Sequence, residues 1–545
     1  MKLTPALRDA AFRWIAADVD EVSRTELRDV LATAMAGDES AVADLTDRMA
    51  GPLTFGTAGL RGPVRAGPNG MNRAVVVRTT AGVASWLTES GHGGGLVVLG
   101  RDARRGSAAF AEDAAGVLTA AGFEVRLIGE SMPTPVLAFA VRGLGAVAGV
   151  QITASHNPAP DNGYKLYDHT GAQIIPPADR KIEAAITAAP AASVVPRSSG
   201  WTVIADEVRE PYLDRVSRLP PGSAREVSIA LTPLHGVGGA TACEALRRAG
   251  YTDLAVVEEQ FEPDPAFGGM AFPNPEEPGV CDKLLELAAA TSCDLAIAFD
   301  PDADRCALGI RDGDGYRMLR GDETGALLGE HLLSTLDRAA HPDPLVATTI
   351  VSSSMLESIA TAHDARYEET LTGFKWLVRA GEDGAGLVFA FEEALGLCVD
   401  PGGVRDKDGI SAAVLAADLA ASRKAAGSSL REALDELDAA HGVHLTDQVS
   451  LRVTDLSEIA EVMAQLRRSP PPEFAGVRVA VEDLLPGADV LRFTGEGVRV
   501  VVRPSGTEPK LKAYLQLMRS DDDRAAAARA LDRLRDDVLA RIARA

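Results

Sequence analysis

The chain has 545 residues, 46% of them hydrophobic and 24% charged, which is ordinary for a water-soluble protein built from several globular domains. A formal net charge of −23 argues against sequence-independent nucleic-acid binding, which needs a basic face, and disfavours docking on anionic membranes. The five cysteines form no CxxC and fit a reduced, cytoplasmic compartment, and the charged N-terminus (Arg8, Asp9, Arg13, Asp18) does not read as a signal peptide.

No apolar run approaches the roughly 18 residues needed to span a bilayer. In chain order, the first fifty residues read as helices, with Leu7, Ala11, Trp14 and Ile15 on one stripe. Pro52 to Pro68 is rich in glycine and reads as loop. Alternation of strand and helix then begins: strand Leu96 to Leu99, helix Ser107 to Ala121, strand Glu124 to Ile128, helix Pro135 to Arg142, strand Ala146 to Ile152. The pattern returns at Ser228 to Leu231, Gly239 to Ala249, Leu254 to Val257, Lys283 to Ala289 and Leu295 to Phe299. It returns again at Leu345 to Val351, Met355 to Ala362, Arg366 to Thr370, Phe374 to Ala380 and Leu387 to Phe391. Three βαβαβ units predict three related α/β domains around a central cleft.

The end of the chain differs. Gln448 to Val453, Val477 to Val481, Val490 to Phe493 and Val498 to Val502 read as strands, followed by a helix with Leu531, Leu534, Val538 and Ile542 on one face. This is a C-terminal α+β domain. The expected domains are residues 1–205, 206–320, 321–440 and 441–545, with boundaries near Trp201, Arg320 and Ala440. Ala188 to Gly200, rich in Pro, Ser and Ala, is the clearest linker candidate.

Each α/β unit ends in a strand that delivers polar residues. Ala146 to Ile152 leads into Thr153-Ala154-Ser155-His156-Asn157-Pro158. Ligands gather at such strand ends in open α/β sheets. A serine hydroxyl there is a weak nucleophile until a base, a metal or a charge field activates it. Leu295 to Phe299 leads into Asp300-Pro301-Asp302-Ala303-Asp304-Arg305, whose alternating carboxylates suit a hard divalent cation. An EF-hand is excluded, because its sixth position would be Arg305 rather than Gly and its twelfth Arg311 rather than Glu. Together the two loops point to a serine that takes up and returns a phosphoryl group beside a metal.

Arg503-Pro504-Ser505-Gly506-Thr507-Glu508-Pro509-Lys510 offers the charge, hydroxyls and close backbone approach that a phosphate cradle needs. Phe55 to Gly62, which contains Arg61, has similar chemistry; a basic surface turn is the alternative for both. Glu392 and Glu393 can accept hydrogen bonds from vicinal sugar hydroxyls. Lys165 and Lys375 are acid/base or phosphate-contact candidates, although either alone could be a solvated surface charge.

In this order, these stretches resemble the α-D-phosphohexomutase superfamily, the phosphoglucomutases, phosphomannomutases and their relatives, over nearly the whole chain. The resemblance implies three α/β domains and a fourth like the TATA-binding protein. It implies an isomerase that interconverts sugar 1-phosphate and 6-phosphate through a phosphoserine and a bisphosphate intermediate. Ser155 matches the phosphoserine, with Asp300, Asp302 and Asp304 completing the ligands of one Mg2+ per chain. Arg61, Lys165 and Lys375 fall near the reacting groups, and His156, next to Ser155, is a candidate base or else a turn or cap residue. Arg305, Glu392, Glu393, Lys407, Arg503, Ser505, Gly506 and Thr507 match substrate-binding positions. A sugar bisphosphate is the expected activator. Small-molecule sugar phosphates are the expected partners, without nucleic acid or membrane, in a monomer or homodimer.

One departure bears on the sugar. Many members carry a serine after the two glutamates, where this chain has Ala394. This loop and Gly373-Phe374-Lys375-Trp376 look more like the branch with phosphopentomutase activity. Phosphopentomutase and sugar-1,6-bisphosphate synthase are therefore alternatives. A phosphatase with an Asp nucleophile and a non-catalytic sugar-phosphate sensor are the rival classes.

Overall fold

A computed structural model describes residues 2–56, 58–453, 456–504, 510–521 and 523–542. The chain divides into two compact units, one of Met1–Met318 with Gly396–Ser422, the other of Leu319–Leu395 with Arg423–Ala545.

The first unit begins with helices Pro5–Ala17, Glu21–Met35 and Glu39–Arg48, capped by the side chains of Thr4, Asp20 and Asp38. The predicted stripe is real: Ala11 and Ile15 are buried, with Leu7 and Trp14 packed against the same cluster.

Next comes a six-stranded sheet in the order Leu60–Pro63, Asp161–Asp168, Ala148–Ile152, Leu96–Arg101, Glu124–Ile128 and Thr202–Ile204. The last four strands are parallel, as the βαβ pattern requires. The first two run antiparallel at one edge. Leu60–Pro63 corrects the loop reading of Pro52 to Pro68: those residues pair with Asp161–Tyr164 despite the glycines around them. Ala188 to Gly200 is also not a free linker. Ala192 and Val195 are buried, Ser198 N–H donates to the Gly116 carbonyl at 3.0 Å, and Arg197 reaches Asp113 at 3.0 Å.

The second sheet of this unit has the order Gly315–Met318, Cys306–Asp312, Leu295–Phe299, Ser228–Thr232, Asp253–Val256. Leu295–Phe299 is central and every residue in it is fully buried. Burial of Ile297 and Phe299 alone contributes about 1.5–3 kcal/mol each. The strand is therefore a rigid mount for the loop that leaves it.

In the second unit, Arg366–Thr370, Leu345–Thr349 and Leu387–Glu392 pair in parallel. The C-terminal sheet runs Val443–Arg452, Lys510–Arg519, Val498–Pro504, Leu491–Gly495, Val477–Asp483 and Glu473–Phe474, with antiparallel neighbours. Helices Leu456–Arg468 and Arg524–Ile542 contribute Ile459, Met463, Leu531, Leu534 and Val538 to its core. Lys510–Arg519 and Leu456–Arg468 are elements the sequence reading did not assign. No described helix is long and apolar enough to cross a membrane.

Candidate active site

Strand Ala148–Ile152 delivers Thr153 to Asn157 at the carboxyl edge of its sheet. Ser155 is buried and its backbone is left-handed, with φ 54°. Such a conformation at a non-glycine costs about 1–3 kcal/mol and persists only where neighbours hold it. Here the Ser155 N–H donates to Thr153 Oγ1 at 2.9 Å. The Arg104 guanidinium donates to the carbonyls of Ser155, Asn157 (2.6 Å), Pro158 (2.8 Å) and Asp161 (3.0 Å). Gly163 completes the fit, since a Cβ there would meet the Thr153 carbonyl oxygen at 2.4 Å.

Arg104 escaped the sequence reading. The signal was Arg101-Asp102-Ala103-Arg104 directly after strand Leu96–Arg101, a charged run at a strand end like the two that were recognised. Asp102 holds it from behind, with Oδ1 accepting the Arg104 N–H at 2.9 Å and Oδ2 lying 3.3 Å from Nε. Arg104→Gln leaves Asp102 a buried acid without its counter-charge, which should cost about 3–5 kcal/mol of stability. Urea unfolding measures that cost.

The partner loop leaves Leu295–Phe299. Asp300, Asp302 and Asp304 are fully buried, with ligand oxygens within 4.8 Å of one another. Ser155 Oγ donates to Asp300 Oδ2 at 2.8 Å, which joins the two predicted loops directly. Asp300 Oδ1 accepts from Arg305 N–H at 3.1 Å. The Asp302 carbonyl accepts from Thr134 N–H at 2.9 Å, and Thr134 Oγ1 donates to Asp302 Oδ2 at 2.6 Å. The Gly409 N–H donates to the Ala303 carbonyl at 3.2 Å, an approach that any Cβ would block, 2.5 Å from the Arg305 carbonyl oxygen.

Lys165 is no surface charge. Its strand returns antiparallel to Ala148–Ile152 and pairs it with Gln151. The buried ammonium donates to Asp302 Oδ2 at 2.6 Å and Asp304 Oδ2 at 2.8 Å. Lys407 Nζ lies 3.4 Å from Asp304. Burial alone would lower the Lys165 pKa, but Asp302 and Asp304 outweigh it and raise it. Burial would likewise raise the carboxyls of Asp302 and Asp304, yet the cations hold both below the usual range. At Asp300, burial and its two acidic neighbours outweigh Arg305 and push the carboxyl well above that range.

His156 Nδ1 is 3.4 Å from Ser155 Oγ. Burial, then Arg305 and Arg61, hold its pKa well below the ordinary value, so the ring is neutral. Arg61 Nη1 donates to Asn157 Oδ1 at 3.1 Å.

A cation fits this group. Asp302 Oδ1 and Asp304 Oδ1 are buried without a hydrogen-bond partner, facing a set of hard oxygen donors. The donor chemistry is that of a divalent-metal site.

Ser155, His156, Arg61, Lys165, the three aspartates, Arg305 and Lys407 thus all belong to the first unit. Lys375, Glu392, Glu393 and Arg503 belong to the second. Ser505, Gly506 and Thr507 lie outside the described residues. In the second unit Glu393 follows strand Leu387–Glu392, and its Oε2 accepts from Ser352 Oγ at 2.9 Å. Burial, then Glu392 and Asp322, push its carboxyl up to about 7. A raised acid binds a proton in the folded state that the unfolded state has lost. Its stabilising contribution is complete below the unfolded value of 4.5 and falls as pH rises to about 7. Glu393→Gln should therefore stabilise the protein by about 3 kcal/mol at pH 8 and less than about 1 kcal/mol at pH 5. Denaturant midpoints at the two pH values check this.

Models of four consecutive families match the chain. They are the phosphoglucomutase/phosphomannomutase alpha/beta/alpha domains I (residues 52–192), II (210–314) and III (320–439), and the C-terminal domain (449–536). A "Probable phosphomannomutase" of Haemophilus influenzae is 40% identical over 463 residues, 83% of this chain and 94% of that protein. A phosphoglucomutase of Staphylococcus aureus is 32% identical over 506 residues, 86% of this chain and 90% of that protein. Among solved structures, a phosphoglucomutase/phosphomannomutase family protein from Burkholderia thailandensis shares the fold. Its TM-score is 0.69 at 20% identity, over 90% or nearly so of both chains: 89% of this one and 97% of that one.

Proposed function

The chain belongs to the phosphoglucomutase/phosphomannomutase family and is a phosphohexomutase, an isomerase, and from that premise we propose that Ser155 is its phosphoryl carrier. One observation carries the assignment: the Ser155 hydroxyl, on a strained and tightly held loop, donates at 2.8 Å to a carboxylate of the buried Asp group.

In this reading phosphorylated Ser155 gives its phosphoryl group to the free hydroxyl of a sugar monophosphate. The P–Oγ bond breaks as a bond to the sugar oxygen forms. The bisphosphate reorients, and Ser155 Oγ attacks the other phosphorus. Oγ must therefore gain a proton in one half-reaction and lose it in the other. The sugar hydroxyl loses a proton as Oγ gains one, and the second half-reaction reverses this; neutral His156, 3.4 Å away, can accept the Oγ proton as Oγ attacks. Lys165 and Lys407 counter the charge of the carboxylates, so that an incoming dianion meets a less negative site. Arg61 and Arg305 supply cations for the transferring group. The oxygens of Ser155, Asp300, Asp302 and Asp304 would hold magnesium, which when bound draws charge from the phosphoryl oxygens.

Glu392 and Glu393 are assigned to sugar hydroxyls. Lys375 is assigned to the reacting groups, and the loop of Arg503, Ser505, Gly506 and Thr507 to the non-reacting phosphate. The five free, buried cysteines support a reduced cytoplasmic setting.

The named relatives divide between mannose and glucose, and Ala394 favours a broader range. A pocket without a hydroxyl at that position discriminates ring substituents only weakly. Turnover of glucose, mannose, ribose and deoxyribose 1-phosphates tests the substrate. Measurable rates with both hexoses and pentoses are expected, and Ala394→Ser should narrow the range towards hexoses. A single hexose substrate with pentose rates at background would overturn the broad-range reading. Release of inorganic phosphate without isomerised sugar would overturn the mutase itself.

A further inference from the structure

Ser352, Ser353 and Ser354 form a turn at the end of strand Leu345–Thr349, within the second unit. The Ser352 hydroxyl is shared between both ends of Glu393: it donates to Oε2 at 2.9 Å and accepts the Glu393 N–H at 3.1 Å. Thr349 Oγ1 supports it at 2.8 Å. The turn therefore fixes where the Glu393 carboxylate points.

The turn is in turn held by the C-terminal sheet. Arg499 and Gln516 sit directly opposite each other on two neighbouring strands of it. Arg499 Nη2 donates to the Ser352 carbonyl. Gln516 Oε1 accepts the Ser354 N–H at 3.3 Å, and Gln516 Nε2 donates to Ser354 Oγ at 2.8 Å. Arg499 is nearly buried, and its other nitrogen donates to Glu369 Oε1 at 2.6 Å. Arg492 takes the second Glu369 oxygen at 3.0 Å. Arg499 is thus locked at both ends of its fork, which a single ammonium could not reproduce. The strand that carries Arg499 continues to Arg503.

We infer that Arg499 is a positioning residue for sugar recognition: through Ser352 it orients Glu393, and so ties the sugar-facing loop to the strand leading into the phosphate-binding stretch. This deepens the assignment of Glu393 to sugar hydroxyls and rests on it. The relay acts on binding of the sugar ring, not on the phosphoryl transfer at Ser155.

Arg499→Lys tests it, because lysine keeps the charge beside Glu369 but gives up the second bond to Ser352. The expected result is a KM for sugar phosphate raised about 5- to 10-fold with kcat within about 2-fold. In the double variant with Glu393→Gln, the effect of Arg499→Lys should vanish, since both act through one carboxylate. Gln516→Met, which releases Ser354 by a different route, should show the same KM effect and the same loss of additivity. If Glu393→Gln alone leaves KM and kcat unchanged, the sugar assignment of Glu393 fails. If Glu393→Gln impairs binding but Arg499→Lys and Gln516→Met leave KM unchanged, or multiply with it, the relay is wrong and that assignment stands.

Discussion

Replacing Ser155 by alanine is expected to lower mutase turnover by about 10³-fold or more while leaving the fold intact. The fold should survive because the loop's own backbone is held through main-chain groups, to which the hydroxyl adds its bond to Asp300. Thr153 takes the Ser155 N–H, and Arg104 takes its carbonyl. Activity should not, because among the described residues Ser155 supplies the hydroxyl that reaches the Asp300 carboxylate from that loop. Steady-state turnover and a thermal melt measure the two separately. A variant that keeps a tenth of the wild-type rate would remove Ser155 from the mechanism.

The second large effect concerns the metal. Asp302→Asn removes one of three clustered charges while keeping the side-chain shape. The Asp302 carboxylate also faces Lys165 at 2.6 Å and Thr134 at 2.6 Å, so its loss unbalances the site as well. Lys165 retains Asp304. Cation affinity should fall more than tenfold, since hard-cation binding scales with the number of charged oxygen ligands. The magnesium concentration for half-maximal rate should rise by that factor, and the KM for sugar phosphate should stay within about 3-fold. An unchanged magnesium dependence would contradict the assignment of the three aspartates.

Ser155 and the three aspartates were legible in the sequence for a physical reason. Each follows a short, largely apolar run, and such runs become buried strands whose carboxyl ends carry polar loops. Lys165 was harder, because its strand mixes Asn162, Lys165 and Tyr167 among apolar residues and gives no clean alternation. The return strand Cys306–Asp312 was hidden behind the acidic loop that precedes it. Both return strands run antiparallel, which a reading of βαβ repeats does not anticipate. Arg104 carried its signal in plain view, but it acts on backbone carbonyls, and spacing does not reveal that. The Arg499–Ser352–Glu393 relay joins residues 147 and 41 positions apart along the chain, a proximity only the fold creates. Strand Lys510–Arg519 follows the Arg503–Lys510 stretch so closely that the phosphate-loop reading absorbed its start.

The central claim is that Ser155 carries the phosphoryl group. Intact-mass analysis with site mapping, after treatment with a sugar bisphosphate, tests it most directly. One labile phosphate should appear on wild type, on Ser155, and none on the Ser155→Ala variant. An equal gain of phosphate by the variant, or a phosphate mapped to Asp300 or Asp302, would contradict it.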